Sequence, residues 1–192
     1  MGAFRFDPAR MIEKAEARAA AEGNRTTRPP LSARFLLKGS ILSLVVAGAI
    51  VGLAQRYSIA IAPQEQLCLP PYRIWIIDKS DRKPVRGDIF AFKSQGLGPI
   101  FEDGTSIVKV LEGLPGDKVN VSLDQTTVNG RVVGTGLEVA TDRGIDPSRY
   151  VREGVIEQGR YWFFGKTSDS FDSRYWGSVQ GDQIIGKAYP LW

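Results

Sequence analysis

The chain contains no histidine, so proton transfer near neutral pH falls to another base, and a lysine kept uncharged by its surroundings can serve. Lys109 stands out by its neighbours. It sits inside Ile107-Val108-Lys109-Val110-Leu111, a β-prone run that leads through Glu112 into Gly113-Leu114-Pro115-Gly116-Asp117. In a strand, alternation puts Ile107, Lys109 and Leu111 on one face and Val108 and Val110 on the other. A lysine flanked by apolar side chains is either a solvent-facing edge residue or a buried amine. Burial disfavours the ammonium form and leaves the amine able to accept a proton. From these residues alone the exposed edge is the commoner outcome. Two further places hold reactive groups. One is the single cysteine, Cys68, in Gln66-Leu67-Cys68-Leu69-Pro70-Pro71-Tyr72-Arg73. A thiol needs less activation than a hydroxyl, because an ordinary one already yields some thiolate near neutrality; its alternative fate is a buried structural cysteine. The other is the small, polar run Ser168-Asp169-Ser170-Phe171-Asp172-Ser173-Arg174-Tyr175-Trp176-Gly177, whose plain reading is a turn followed by an aromatic strand anchor.

Composition sets the frame around these groups. The 192 residues are 43% apolar and 24% charged, as in an ordinary folded protein. The net charge of +4 is local: residues 1–38 carry eight basic against four acidic side chains, and the remainder is neutral. The high pI therefore gives no reason to expect nucleic acid. Residues 39–55 contain no charge, and with the apolar flanks 35–37 and 57 they reach about 20 residues, enough for a helix to cross a bilayer. Basic residues lie mostly before this segment, so the amino end is expected in the cytoplasm. A cleavable signal ending at Gly52-Leu53-Ala54 and a buried core helix are the competing readings. One cysteine excludes an internal disulfide, and with no histidine a zinc site is not expected; no cofactor is implied.

The remaining elements follow from local pattern. Residues 8–22 read as a charged, solvated helix with Pro8 at its start and Gly23 as its stop. Residues 24–30 form a polar linker, and 58–65 lead away from the membrane. Short strands are predicted at 73–78, 89–93, 107–111, 119–123, 155–157, 160–164 and 184–188. Asn129-Gly130 between two β-prone arms predicts a hairpin. Residues 138–153 read as a loop or small excursion. The expected organisation is a cytoplasmic basic segment (1–34), a transmembrane anchor (35–57) and an extracytoplasmic β-rich domain (58–192). The fold class is mostly β, a coiled sheet or barrel tethered by one N-terminal transmembrane helix.

The motifs over roughly residues 60–192 resemble the signal peptidase I (S26) family of membrane serine/lysine proteases. Lys109 followed by Gly113-Leu114-Pro115-Gly116-Asp117 resembles the family's lysine block. The segment from Gly165 to Gly177 resembles its last block, GDNRDNSxDSRYWG, one residue short before the serine. Arg86-Gly87-Asp88-Ile89-Phe90-Ala91-Phe92 resembles a structural strand of the family and is assigned no chemistry. The nucleophile block departs from the pattern: Cys68 stands where the family has a serine. The resemblance is nearest to the conjugative-transfer (TraF-type) branch. Only about sixty residues separate Lys109 from Ser170, which leaves little room for the large second domain of some general signal peptidases.

The resemblance implies roles. Cys68 would be the nucleophile, Lys109 the general base and Ser170 the hydroxyl that orients the amine, with Asp172 and Arg174 as a supporting ion pair. The substrate would be an exported precursor, a pilin or another conjugation component, with small residues at the first and third positions before the cut. The expected partners are that precursor, the lipid bilayer and the conjugative transfer machinery. The expected place is the inner membrane, single-pass, with the catalytic domain periplasmic. Loss of the serine motivates an alternative, an inactive structural component of a secretion apparatus. A self-cleaving repressor of related fold is a weaker one, because the chain has a membrane segment and no DNA-reading helix pair.

Overall fold

A computed structural model describes residues 8–23, 31–62 and 67–191. The 24–30 linker and the end of the 58–65 segment lie outside these residues. The elements, in chain order, are helices α1 (Pro8–Gly23) and α2 (Ala33–Arg56), then strands β1 (Tyr57–Ile61), β2 (Ile74–Asp78), β3 (Ile89–Lys93), β4 (Ser106–Gly113), β5 (Lys118–Val121), β6 (Gln125–Val128) and β7 (Arg131–Thr135). A short helix α3 (Glu138–Asp142) follows, then β8 (Arg152–Val155), β9 (Arg160–Phe164), a one-turn helix α4 (Ser173–Trp176), β10 (Val179–Gln180) and β11 (Ile184–Pro190). Residues 1–49 and 50–192 are two separate units.

The first unit holds α1 and most of α2. Ser32 starts α2, its hydroxyl accepting from the Phe35 amide at 3.2 Å, which satisfies one of the amides a helix start leaves unbonded. At 24 residues the helix is about 36 Å long, against an apolar bilayer thickness of about 30 Å. No side chain along α2 is buried, so the core-helix reading fails, and the apolar surface is of the kind that lipid covers.

The second unit is all antiparallel sheet with short helical excursions. Seven strands run in the order β1-β2-β11-β3-β4-β9-β10, and a second sheet runs β7-β6-β5-β8. Alternation along the central strands divides the large sheet's side chains into two cores. Phe90, Phe92, Ile107, Leu111 and Phe163 pack together on one side, and Trp75, Ile77, Ala91, Val110 and Ala188 on the other. Trp162, Phe164 and Tyr175 carry a third core to the smaller sheet and α3. The Asn129-Gly130 hairpin joins β6 to β7 with φ of 51° and 78°, the left-handed pair that a two-residue turn requires.

Two expectations change in detail. The segment after the anchor is a strand: β1 follows α2 without a break and pairs with β2 from Tyr57↔Asp78 to Ile61↔Ile74. Its alternation is short, and it is held by pairing with the next strand. The Asp172–Trp176 segment forms a helical turn instead of a strand, because the Asp172 carboxylate caps it by accepting from the Arg174 amide at 3.1 Å.

Turns at two corners of the sheet carry ion pairs. Arg56 binds Asp78 at 2.8 Å, and Lys79 Nζ donates to the Ala54 carbonyl at the end of α2. Arg86 binds Asp117 at 2.6 Å, joining the Arg86-Gly87-Asp88 turn to the Leu114-Pro115-Gly116-Asp117 turn that closes β4. Hydrogen bonds from Arg56 and Ser80 hold the Asp78 carboxyl far below the usual carboxylate range. Burial works against the charge of Asp117, but the Leu114 amide, Arg86 and Asn129 outweigh it and leave its value lowered too. With folded values below unfolded ones, their stabilisation is complete above about pH 4 and is lost as pH falls through the depressed range. Urea denaturation between pH 6 and pH 2 is expected to show this loss, and substituting both Asp78 and Asp117 by Asn to flatten it.

Candidate active site

β4 carries Lys109 into the interior. Lys109 is 2% exposed and lies on the face of Ile107 and Leu111, as alternation predicts. Its Nζ and the Ser170 hydroxyl are 2.6 Å apart and hydrogen-bonded, and Ser170 is fully buried. Among the described residues the amine forms no ion pair. The exposed-edge alternative is therefore wrong for this residue.

Ser170 belongs to a loop that leaves β9 at Gly165 and ends in α4. Asp172 and Arg174 hold this loop at both ends. Both side chains are fully buried, and they meet through Arg174 Nε to Asp172 Oδ1 and Arg174 Nη2 to Asp172 Oδ2, each 2.9 Å. Asp172 Oδ2 also accepts from the Gly165 amide at 3.1 Å. Arg174 Nη2 donates to the carbonyls of Ser170 at 3.0 Å and Thr167 at 3.3 Å, and Nη1 reaches Thr135 and Gly136 at the end of β7. The guanidinium also lies 4.6 Å from the Phe164 ring centre, within cation–π range. Burial opposes the charge on Arg174, but the hydrogen bonds and the charge of Asp172 prevail and raise its pKa.

Cys68 joins from the other side. Its carbonyl accepts from the Lys166 amide at 2.8 Å, so the Ser170 loop also grips the cysteine segment. Gly165 lies between them: a side chain there would collide with Ser170 and stand 3.3 Å from the Cys68 Cβ. Cys68 is half-buried and, with Lys109, lines a cavity of about 540 Å³. The other walls are mainly apolar, including Ile61, Leu69, Tyr72, Trp75 and Phe101. The thiol makes no hydrogen bond to the amine among the described residues; the amine's bond goes to Ser170.

Lys109, Ser170, Asp172 and Arg174 thus form one bonded group, and Cys68 borders the same cavity. Two contributors carried no functional signal in the sequence. Gly165 is visible only as a glycine at the start of a motif. The Thr135 and Gly136 carbonyls are backbone groups, which residue identity does not announce. Among the described residues no cluster of acidic and thiol side chains is arranged to hold a metal.

A family model described as "Signal peptidase, peptidase S26" matches residues 33–192. The conjugal transfer protein TraF of Agrobacterium fabrum is 27% identical over 177 residues, covering 82% of this chain and 93% of that protein. A probable signal peptidase I-2 of Synechocystis is 30% identical over 110 residues, 56% of this chain and 48% of its own length. A crystal structure of a signal peptidase I from Enterococcus faecalis is 28% identical and covers 56% of this chain and 97% of that one, with a TM-score of 0.37.

Replacing Arg174 by Met removes one partner of a buried pair and strands the other, which typically costs about 3–5 kcal/mol. Urea denaturation of the detergent-solubilised chain is expected to show a loss of that order. Arg174→Lys should recover little of it, because an ammonium does not reproduce the planar fork that serves one carboxylate and four carbonyls.

Proposed function

We propose, from the premise that this chain belongs to the signal peptidase family S26, that it is a membrane-anchored endopeptidase cutting an exported precursor with a Cys68–Lys109 dyad. The hydrogen bond between the buried Lys109 amine and Ser170 carries this reading. It fixes a buried amine against one hydroxyl, with no carboxylate partner among the described residues. The shared cavity wall supplies a thiol within the same site.

In the proposed reaction the Cys68 sulfur attacks the scissile carbonyl carbon while its proton passes to Lys109 Nζ. Backbone N–H groups near Cys68 stabilise the tetrahedral oxyanion. The intermediate collapses as the C–N bond breaks, and the Lys109 ammonium gives its proton to the departing amine. Lys109 then takes a proton from water, whose oxygen attacks the thioester. The C–S bond breaks, the carboxylic acid leaves and the thiol recovers its proton. Ser170 holds the amine in line throughout, and Asp172 and Arg174 act only by fixing the loop that carries Ser170.

The likeness to a conjugal transfer protein favours a pilin or another component of a conjugation apparatus as the precursor, with small residues at the first and third positions before the cut. The apolar helix α2 and the basic residues before it favour a single-pass topology with the amino end in the cytoplasm and the catalytic domain outside. The retained Lys109–Ser170 pair weighs against an inactive scaffold, which has no use for a buried amine that forms no ion pair among the described residues.

The test is precursor processing by the full chain in its membrane. Cys68→Ala is expected to abolish cleavage. Lys109→Met is expected to slow it by about 10²–10⁴-fold, the usual value of a positioned base, with circular dichroism unchanged. Normal processing by Cys68→Ala would remove the thiol from the mechanism. Intact conjugation without any processing would favour the scaffold.

A further inference from the structure

The cavity holding Cys68 and Lys109 is lined by β1, by the Leu67–Leu69 segment and by residues of the chain from Ile100 to Lys109. Its lining is mainly apolar, with polar side chains at Cys68 and Lys109 and, at an exposed edge that serves as its rim, at Glu102, Thr105 and Ser106. There stands Glu102, an exposed residue and the one carboxylate among the described lining residues. Its backbone is fixed: the Glu102 carbonyl accepts from the Ser94 hydroxyl, from the Thr105 hydroxyl at 2.7 Å and from the Thr105 amide at 3.1 Å. The neighbouring Asp103 carboxylate is taken up by the Gly96 amide at 2.6 Å. The Glu102 carboxylate has no hydrogen bond or ion pair among the described residues, and the one cation among the described lining residues, Lys109, is buried and bonded to Ser170.

We infer that Glu102 sets substrate choice, and that the segment entering this groove carries a lysine or arginine where it passes the rim. The inference rests on the peptidase reading above and adds the charge of its substrate. An unpaired carboxylate beside low-dielectric walls draws cationic groups to itself and repels anionic ones. Residue spacing along the wall sets the register. Thr105, whose hydroxyl and amide bond the Glu102 carbonyl, lies four residues before Lys109, so at about 3.3 Å per extended residue the Glu102 edge is about 13 Å from the base. An extended substrate therefore presents the basic residue about three to five positions to one side of the scissile bond.

The test uses fluorescent peptides sharing one Ala-Gln-Ala core, with Lys, Gln or Glu placed in turn at positions three, four and five on either side. Binding is read by anisotropy on the full-length Cys68→Ala chain in detergent, and cleavage on the chain with Cys68 intact. At the register that meets the rim, the Lys peptide is expected to bind about three- to five-fold more tightly than the Gln peptide, the size of an exposed charge pair. The Glu peptide should be the weakest, and the difference should shrink as salt rises. Glu102→Gln should level the Lys-to-Glu ratio and Glu102→Lys should invert it. Because the readout is a ratio on one protein, a loss of folded material does not mimic the result. Equal binding and cleavage of all three peptides at every position, or a ratio that survives Glu102→Gln, overturns the inference while leaving the peptidase reading standing. Charge-selective binding without any cleavage by the intact chain would do the reverse.

Discussion

The fully buried pair of Asp172 and Arg174 is the interaction on which the site depends. Two opposite charges with no water around them are tolerated only when every remaining donor and acceptor is also met. Here the matching partners are backbone groups of two separate segments: the Gly165 amide with the Thr167 and Ser170 carbonyls of one loop, and the Thr135 and Gly136 carbonyls. The cost of burying the charges thus becomes a geometric demand. The loop from Gly165 to Ser170 has to keep one shape, and the end of β7 has to stay beside it.

That shape decides where the reactive groups stand. With Gly165 and Ser170 both held, the serine hydroxyl meets the Lys109 amine, and the absence of a side chain at Gly165 lets the Cys68 segment come close. The Lys166 amide then ties the Cys68 carbonyl to the same loop. An amine buried inside the large sheet and a thiol on the cavity wall are positioned by one short stretch of chain. The sheet contributes in its own way: Lys109 leaves solvent because it lies among the apolar side chains of β4, next to Ile107 and Leu111 on their face.

Much of this was legible in the residues, for reasons that differ by element. β3, β4 and β9 show in the sequence because their runs of β-branched and aromatic residues are bounded by turn formers, and the Asn129-Gly130 turn announces its hairpin directly. Alternation placed Lys109 with Ile107 and Leu111, but whether that face was inside or outside depended on strands distant in sequence. The resemblance of the Lys109 and Ser170 blocks to one family tilted that choice. β1 was hidden because five residues running on directly from the apolar helix give too short an alternation to stand out, although its partner β2 was legible. The helical turn at Ser173–Trp176 was hidden because an aromatic run reads as strand, and only the Asp172 cap converts it. Gly165 and the carbonyls around Arg174 act through backbone, where side-chain identity is silent.

The link between thiol and amine is the claim on which function rests. Its most direct measure is the rate at which iodoacetamide alkylates Cys68 near neutral pH, compared between the full chain and its Lys109→Met variant. If the amine draws the proton from the thiol, alkylation is expected to slow markedly when Lys109 is replaced, with Ser170→Ala falling between the two. Equal rates in the presence and absence of the amine would contradict the account.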